Sequence, residues 1–387
     1  MAGRGKSCQQ RGFNQSCPDW KNFRFRPKRM DSTEEKNSAV VSTVYGAYYS
    51  ILPLPEMKPE LQARLRGKLR LNRLRTDKSQ LKMRHLICAG DRIRYASDEN
   101  NPDEYIVESV LPRRNAIFRS TRQELHCMGA NLDYAVLISS LARPEPNFRL
   151  VDRFLSACHN GAVKPILVFT KSDLLTEENE SYAPIHSMIS LYRELGFTVF
   201  LMNLLDDNTS DEFIKFRSIL QNSVTLLCGK SGTGKSTLIN KIAGKIITKT
   251  ADISLSTSKG KHTTTNSRLV ALENQSAVID SPGIKEWGLQ HLDRRDIIES
   301  FPELRPHALE CPFKGCLHES GDGRCKVQNF LTLSQQSQIK TENGESSSST
   351  AMNPERIESL NLMLESLVSP DRIRTGDYIK ATGRLKV

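Results

Sequence analysis

Apolar positions fall into two textures along the 387-residue chain. Between about 43 and 120 the runs are short and broken by charge, Gly and Pro, as in ARLRGKLRL, HLICAGDRIRY and EYIVESVL. Such runs predict the strands of a small β-barrel. From about 130 the runs become continuous: YAVLI, PILVF, FTVFLM, VTLLC, RLVAL and SAVID. They alternate with segments of helical period such as RLVDRFLSACHN and DEFIKFRSIL, which predicts a parallel sheet with crossover helices. Beyond 300 come short loops, a stretch at 331–352 with QQSQ and ESSSST that reads as a flexible insertion, and PERIESLNLMLESL, which reads as one amphipathic helix. Residues 1–42 are basic and polar without an apolar period and read as a disordered arm. The chain thus divides into the arm 1–42, a barrel at 43–120, an α/β domain at 121–300, a C-terminal domain at 301–370 and a basic tail at 371–387.

Composition narrows this picture. With 38% hydrophobic and 26% charged residues the balance is that of a globular protein. No run approaches the roughly 18 apolar residues of a membrane span, and no apolar signal stretch follows the basic N-terminus. The chain reads as soluble and cytoplasmic, monomeric, with no membrane partner. Nine cysteines in a chain of this length do not make a disulfide scaffold, and three of them cluster with a histidine. A net charge of +11 favours a polyanionic partner. Residues 1–30 hold eight Lys or Arg against Asp19 alone, and 61–95 hold eleven against Asp77 and Asp91.

The sharpest motif is GKSGTGKST at 229–237, preceded by apolar Val224–Cys228 and followed by a segment in which Leu238, Ile239 and Ile242 form a buried stripe and Gly244 a stop. Strand, glycine-rich loop and helix in this order make a phosphate cradle from Gly229, Lys230, Ser231, Gly232, Thr233, Gly234, Lys235, Ser236 and Thr237. Glycines let backbone N–H groups approach phosphate oxygens, Lys235 reaches the β and γ phosphates, and Ser236 is a magnesium ligand. Downstream, DSPG at 280–283 places Asp280 at a strand end to hold the magnesium shell and the Gly283 N–H to sense the γ-phosphate. Alone, DSPG reads equally as a plain turn. Between the two motifs, KGKHTTT offers Thr263 and Thr264 as magnesium or γ-phosphate ligands.

TKSD at 170–173 also follows an apolar run, PILVF. Asp173 is placed to accept hydrogen bonds from a guanine edge, with the Lys171 stem along the base and Thr170 and Ser172 beside it. A four-residue match is weak alone. Yet cutting an ordinary GTPase sheet after its magnesium motif and joining the old ends yields this order: base reader, cradle, hydroxyl loop, DSPG.

In that order the chain resembles the circularly permuted GTPases of small ribosomal subunit biogenesis, the RsgA (YjeQ) family. The resemblance rests on RLRGKLR, AGDRIRY and VLPRRNAIFR, on LVDRFL and TKSDLL, on GKSGTGKSTLIN, GKHTTT and DSPGIKEWGL, and on CPFKGCLH. It implies an N-terminal OB-fold barrel, a central permuted α/β P-loop GTPase domain, a C-terminal zinc-binding domain with a helix, and a GTPase stimulated by the small subunit and its rRNA. It also implicates His262 as the group that assists hydrolysis, with Thr264 and Lys235. Ile284 stands where many GTPases carry a water-orienting glutamine, which predicts slow intrinsic turnover. Thr170 replaces the usual asparagine and lacks the amide that ties base site to cradle, so weaker guanine binding is expected.

Cys311, Cys316, His318 and Cys325, spaced C-x₄-C-x-H-x₆-C, suit one closed, structural Zn²⁺ site. The basic barrel suits RNA, with Phe118, Tyr95 and Tyr105 as candidate stacking residues. Two other function classes remain: an ATP-using P-loop enzyme, and an RNA-binding OB protein whose nucleotide site only regulates affinity.

Overall fold

The first strand, β1 (Ser38–Tyr45), is buried at every position except Tyr45, and its two faces serve two cores. In the computed structural model, residues 37–65, 82–83, 86–98, 101–121, 124–178, 181–205, 210–247, 267–273, 275–313, 315–319, 323–342 and 351–367 are described. Ala39 and Val41 enter a barrel core with Ile51, Ala63, Ile93 and Val107. Val40 instead joins Leu52 in the core beneath the α/β sheet. A β-bulge between Val41 and Thr43 resets the alternation, so Val44 rejoins the barrel core. The strand begins at Ser38, ahead of the expected boundary at 43. Its serines disguised it: Ser42 is buried because its hydroxyl donates to Glu60 Oε1 at 2.6 Å.

With β2 (Tyr48–Pro53), β3 (Leu61–Leu65), β5 (Arg92–Asp98) and β6 (Asn101–Val110), β1 forms a barrel. The order β1-β2-β3-β6-β5 closes through a β1–β5 pairing, and β3 and β6 are its parallel neighbours. This is the expected OB-fold.

The sheet does not stop there. β1 also pairs with β13 (Arg268–Ala271), and the order runs on through β14 (Ala277–Asp280), β12 (Val224–Gly229), β9 (Tyr134–Ser140), β10 (Lys164–Thr170) and β11 (Thr198–Met202). These strands are mutually parallel apart from antiparallel β13. The carboxyl ends of the parallel strands therefore share one edge, where open α/β sheets bind ligands. Helices α1 (Phe148–Asn160), α2 (Tyr182–Glu194), α3 (Asp211–Ile219) and α4 (Lys235–Ala243) cross over between them. α1 is capped by Asn147, whose side chain accepts from the Leu150 N–H at 2.9 Å, and it buries Leu150, Val151, Phe154, Leu155 and Cys158. A small sheet of β4 (Lys82–Met83), β8 (Glu124–Ala130) and β7 (Ala116–Ser120) packs alongside.

The C-terminal part holds α5 (Arg294–Ser300), α6 (Arg305–Leu309), α7 (Lys326–Glu342) and α8 (Pro354–Glu365). α7 corrects the first part of the reading of 331–352 as a flexible insertion, since the helix continues to Glu342, while 343–350 lie outside the described residues. Val327 and Ser334 are buried, while Phe330 and Leu331 pack against the main core. That is one helical stripe, and Ser334 belongs to it because its hydroxyl accepts from the Met352 N–H at 3.0 Å. α8 is fixed by Arg356, 1% exposed. Its guanidinium donates to both Glu303 oxygens at 2.8 Å and to Asp152 of α1, and it lies 4.5 Å from the Phe301 ring centroid.

Candidate functional site

β12 ends at Gly229, and the backbone geometry explains the glycines that follow. A Cβ on Gly229 would stand 2.7 Å from the Ile138 carbonyl oxygen, so nothing larger fits between β12 and β9. Gly232 and Gly234 have φ of +81° and +86°, a left-handed conformation that glycine adopts without cost. Gly234 is the N-cap of α4, which brings Lys235, Ser236 and Thr237 into its first turn. The loop closes on itself through Thr233, whose hydroxyl donates to the Lys230 carbonyl at 2.8 Å.

Asp280 ends β14 opposite Leu227 of β12, and Lys235 Nζ donates to its carboxylate. The strand-end acid and the lysine that opens α4 therefore meet at one point of the sheet edge. The segment after Asp280 folds onto the cradle: the Ser281 hydroxyl donates to the Leu227 carbonyl at 2.9 Å, and the Ile284 N–H to the Gly229 carbonyl at 3.0 Å. Gly283 lies over Ser231, with a Cβ position 3.6 Å from the Ser231 nitrogen. Ile284 is buried and apolar, so it cannot orient water. His262, Thr263 and Thr264 lie outside the described residues.

Thr170 ends β10, 1% exposed, and its hydroxyl donates to the Thr233 carbonyl at 2.8 Å. Thr170 therefore reaches the cradle through its hydroxyl in place of the usual amide, because Thr233 turns its carbonyl towards the end of β10. Lys171, at φ +58°, donates to the Arg143 carbonyl. Ser172 and Asp173 follow in a short 3₁₀ turn, with Asp173 exposed at the sheet edge.

Two loops of this edge escaped sequence reasoning. Met202 pairs with Thr170, so Asn203 and Leu204 continue beside the base reader, and a Cβ on Gly234 would stand 2.9 Å from Leu204 Cδ1. Likewise Pro144, in the loop after β9, approaches Gly232 and with Glu145, Asn147, Lys230 and Thr233 lines a cleft beside the cradle. Their only signal was position, since each follows an apolar run at the carboxyl edge.

Cys311, Cys316, His318 and Cys325 bring one ligand atom each within 4.8 Å of one another. Cys316 Sγ and Cys325 Sγ are 4.0 Å apart, and His318 Nδ1 is 3.4 Å from Cys325 Sγ. These separations suit a tetrahedral ion with bonds near 2.3 Å to sulfur and 2.0 Å to nitrogen. Burial pushes His318 down, favouring the neutral imidazole that ligates. The Arg294 guanidinium and the Gln328 amide both donate to the His318 carbonyl, at 3.3 and 2.5 Å. They hold a residue whose backbone sits at φ +52°.

Of the aromatics proposed for RNA stacking, Phe118 is 1% exposed and belongs to the core under β7, so it is unavailable. Tyr95 and Tyr105 meet edge to face at 5.5 Å and pack against the barrel core. Among the described residues an exposed aromatic pair lies elsewhere. Tyr45 and Tyr48 face each other across the β1–β2 hairpin tip, 54% and 52% exposed. Among the described residues no helix is long and apolar enough to cross a membrane.

The model of the family described as RsgA GTPase matches residues 110–290. Small ribosomal subunit biogenesis GTPase RsgA of Pseudomonas aeruginosa is 33% identical over 243 residues, covering 62% of this chain and 69% of the relative. This chain belongs to the RsgA family. The Neisseria gonorrhoeae protein of the same description is 33% identical over 245 residues, 63% of this chain and 76% of the relative. Among solved structures, YjeQ from Thermotoga maritima aligns with a TM-score of 0.58 at 21% identity, covering 86% of this chain and 99% of that one. YloQ, described as a circularly permuted GTPase, aligns at 0.55 with 20% identity, covering 85% and 94%. The fold is thus the permuted one expected from motif order.

Proposed function

We propose that this GTPase binds the small ribosomal subunit and assists its late maturation, hydrolysing GTP to GDP and phosphate slowly alone and faster on the subunit. The observation that carries the reading is the tie from Thr170 to Thr233, which joins the base-reading strand to the cradle on one sheet edge. Lys235 binds the β and γ phosphates, the N–H groups of Gly229–Ser236 line them, and Gly283 senses the γ-phosphate. Asp173 and Lys171 select guanine. Ser236 and Asp280, with Thr264, would hold Mg²⁺; Asp280 fits this role because it sits at the cradle beside Lys235. When bound, the ion neutralises charge developing between the β and γ phosphates. Ile284 leaves water positioning to His262, brought in by the subunit. The Cys₃His cluster would hold one zinc ion as a closed structural site, because four protein ligands leave no position for substrate. The barrel, through Tyr45 and Tyr48 and its basic strands, would contact rRNA, and the chain would act in the cytoplasm as a monomer.

The test is GTP and ATP hydrolysis by the purified protein, alone and with small ribosomal subunits, with Lys235→Ala as blank. GTP-selective stimulation by subunits is expected. Equal use of ATP, or turnover indifferent to subunits, overturns the reading. His262→Ala that leaves stimulated turnover unchanged removes that residue from the mechanism.

A further inference from the structure

Two of the contacts that mount the barrel on the rest of the protein differ in character. At the first, Gly90 (φ +89°) packs so closely that a Cβ would stand 2.2 Å from the Ala130 carbonyl oxygen. The Ala130 N–H donates to the Ala89 carbonyl at 3.0 Å and the Asn131 amide to the Gly90 carbonyl at 2.9 Å. This is a closed, backbone-to-backbone joint.

The second point is the seam between β1 and β13, which pairs at the single register position Thr43–Arg268. Arg268 is also the register partner of Asp280 on its other side. One lateral row of the sheet therefore runs Leu227, Asp280, Arg268, Thr43, Ser50, Gln62, from the strand that feeds the cradle to the third strand of the barrel. Adjacent strands lie about 4.8 Å apart, so Asp280 is only about 10 Å from the barrel.

Val40, Leu52 and Leu269 share one core across the seam, and polar side chains add to it. The Thr43 hydroxyl is buried and has no hydrogen-bond partner among the described residues. Glu60, half exposed before β3, accepts from the Ser42 hydroxyl at 2.6 Å and faces the Arg268 guanidinium at 4.0 Å. It thereby clamps β1 to β13 across the junction. A tight joint beside an exposed ion pair defines a pivot and a latch.

We propose that Arg268 and Glu60 are positioning residues that couple nucleotide state to the orientation of the barrel on RNA, with Gly90–Ala130 as the pivot. A displacement of Asp280 moves its row partner Arg268, and the latch passes that movement to β1, which ends at Tyr45 opposite Tyr48 of β2. The inference rests on the reading that the barrel contacts the small subunit.

The experiment measures the affinity of the full chain for purified small ribosomal subunits with a non-hydrolysable GTP analogue and with GDP, and takes the ratio. Arg268→Glu and Glu60→Arg are each expected to lower that ratio about five-fold, the scale of an exposed ion pair. The double variant R268E/E60R is expected to restore most of it. Affinity for a fluorescent GTP analogue without subunits should stay at the wild-type value, and Arg268→Glu should leave the melting temperature unchanged, whereas Glu60→Arg lowers it modestly through the lost Ser42 acceptor. A contribution of these charges to RNA binding alone would change both nucleotide states equally and leave the ratio intact. An unchanged ratio in both single variants, a double variant no better than either, or weaker nucleotide binding without subunits overturns the proposal. A wild-type protein that does not bind subunits, or binds them equally in both states, overturns the function reading and this proposal with it. A wild-type ratio that survives in the variants overturns only the latch.

Discussion

Around the phosphate cradle, the groups that would meet a ligand are held by strands, whereas in the metal cluster they are held by loops. Thr170, Asp280 and Gly229 sit at the ends of three parallel strands whose register is fixed along their whole length. Cys311, Cys316 and His318 lie on irregular chain, and Cys325 directly precedes α7. Parallel strands buried on both faces position a site before any ligand arrives. Loops with four convergent donors need the ion to complete their energetics. The difference teaches that one end of this molecule is held by strand register and the other by four convergent side chains on loops.

Removing the metal should separate the two most sharply. Chelation, or Cys316→Ser, is expected to destabilise the region around 311–325 on the order of 10 kcal/mol, the scale of structural zinc sites. Limited proteolysis should then cut there first, while GTP-analogue binding persists. Loss of nucleotide binding in step with metal content would erase the distinction.

Arg356→Met probes the joint between the two ends. Removing the guanidinium leaves Asp152 and Glu303 uncompensated in the core, and a loss of about 3–5 kcal/mol is expected in urea unfolding. A variant as stable as the wild type would mean that α8 is held by its apolar contacts alone.

Acid should weaken the strand-built part next. Burial pushes His291 down to about 3, and burial followed by the charge of Arg305 does the same to His159. Once unfolded, each protonates near 6.5. Below that pH the unfolded chain binds the extra protons, so stability falls by about 1.4 kcal/mol per pH unit for each histidine. Asp296, pushed up to about 6 mainly by burial, acts in the opposite sense between pH 6 and about 3.9 and offsets one of the two. Urea midpoints should therefore be flat above pH 6.5 and decline below it, and His159→Asn should shallow the slope.

The smallest effect is expected at Thr170→Val, which removes one hydroxyl but keeps the shape. About 1 kcal/mol and roughly five-fold in guanine-nucleotide affinity should be lost. An affinity identical to wild type would show that the cradle is set by its own turn and needs no tie.

The legible parts of this chain are those whose partners are near in sequence. GKSGTGKST, DSPG, TKSD and the Cys₃His spacing each lie within a few turns of chain, so spacing alone encodes their geometry. What escaped depends on pairing across long separations: the hydroxyl of Thr170 on Thr233, β1 on β13, and Phe118 beneath Trp287, whose indole N–H donates to the Phe118 carbonyl. α7 escaped for another reason, because a buried, hydrogen-bonded Ser334 breaks the apolar period that marks a helix. No spacing near in sequence marks Tyr45 and Tyr48, and only the hairpin register shows that they share an exposed tip.

The double allegiance of β1 has a consequence during synthesis. The barrel is complete once β6 has left the ribosome, but the strand that covers its outer edge, β13, is made roughly 160 residues later. At typical elongation rates of 5–20 residues per second, that is a wait on the order of ten seconds. Throughout it the nascent barrel shows Val40 and Leu52 to solvent, and the part of the β1 edge beyond its pairing with β5 remains open to any passing strand. The chain most exposed to misassociation here is the one still being translated.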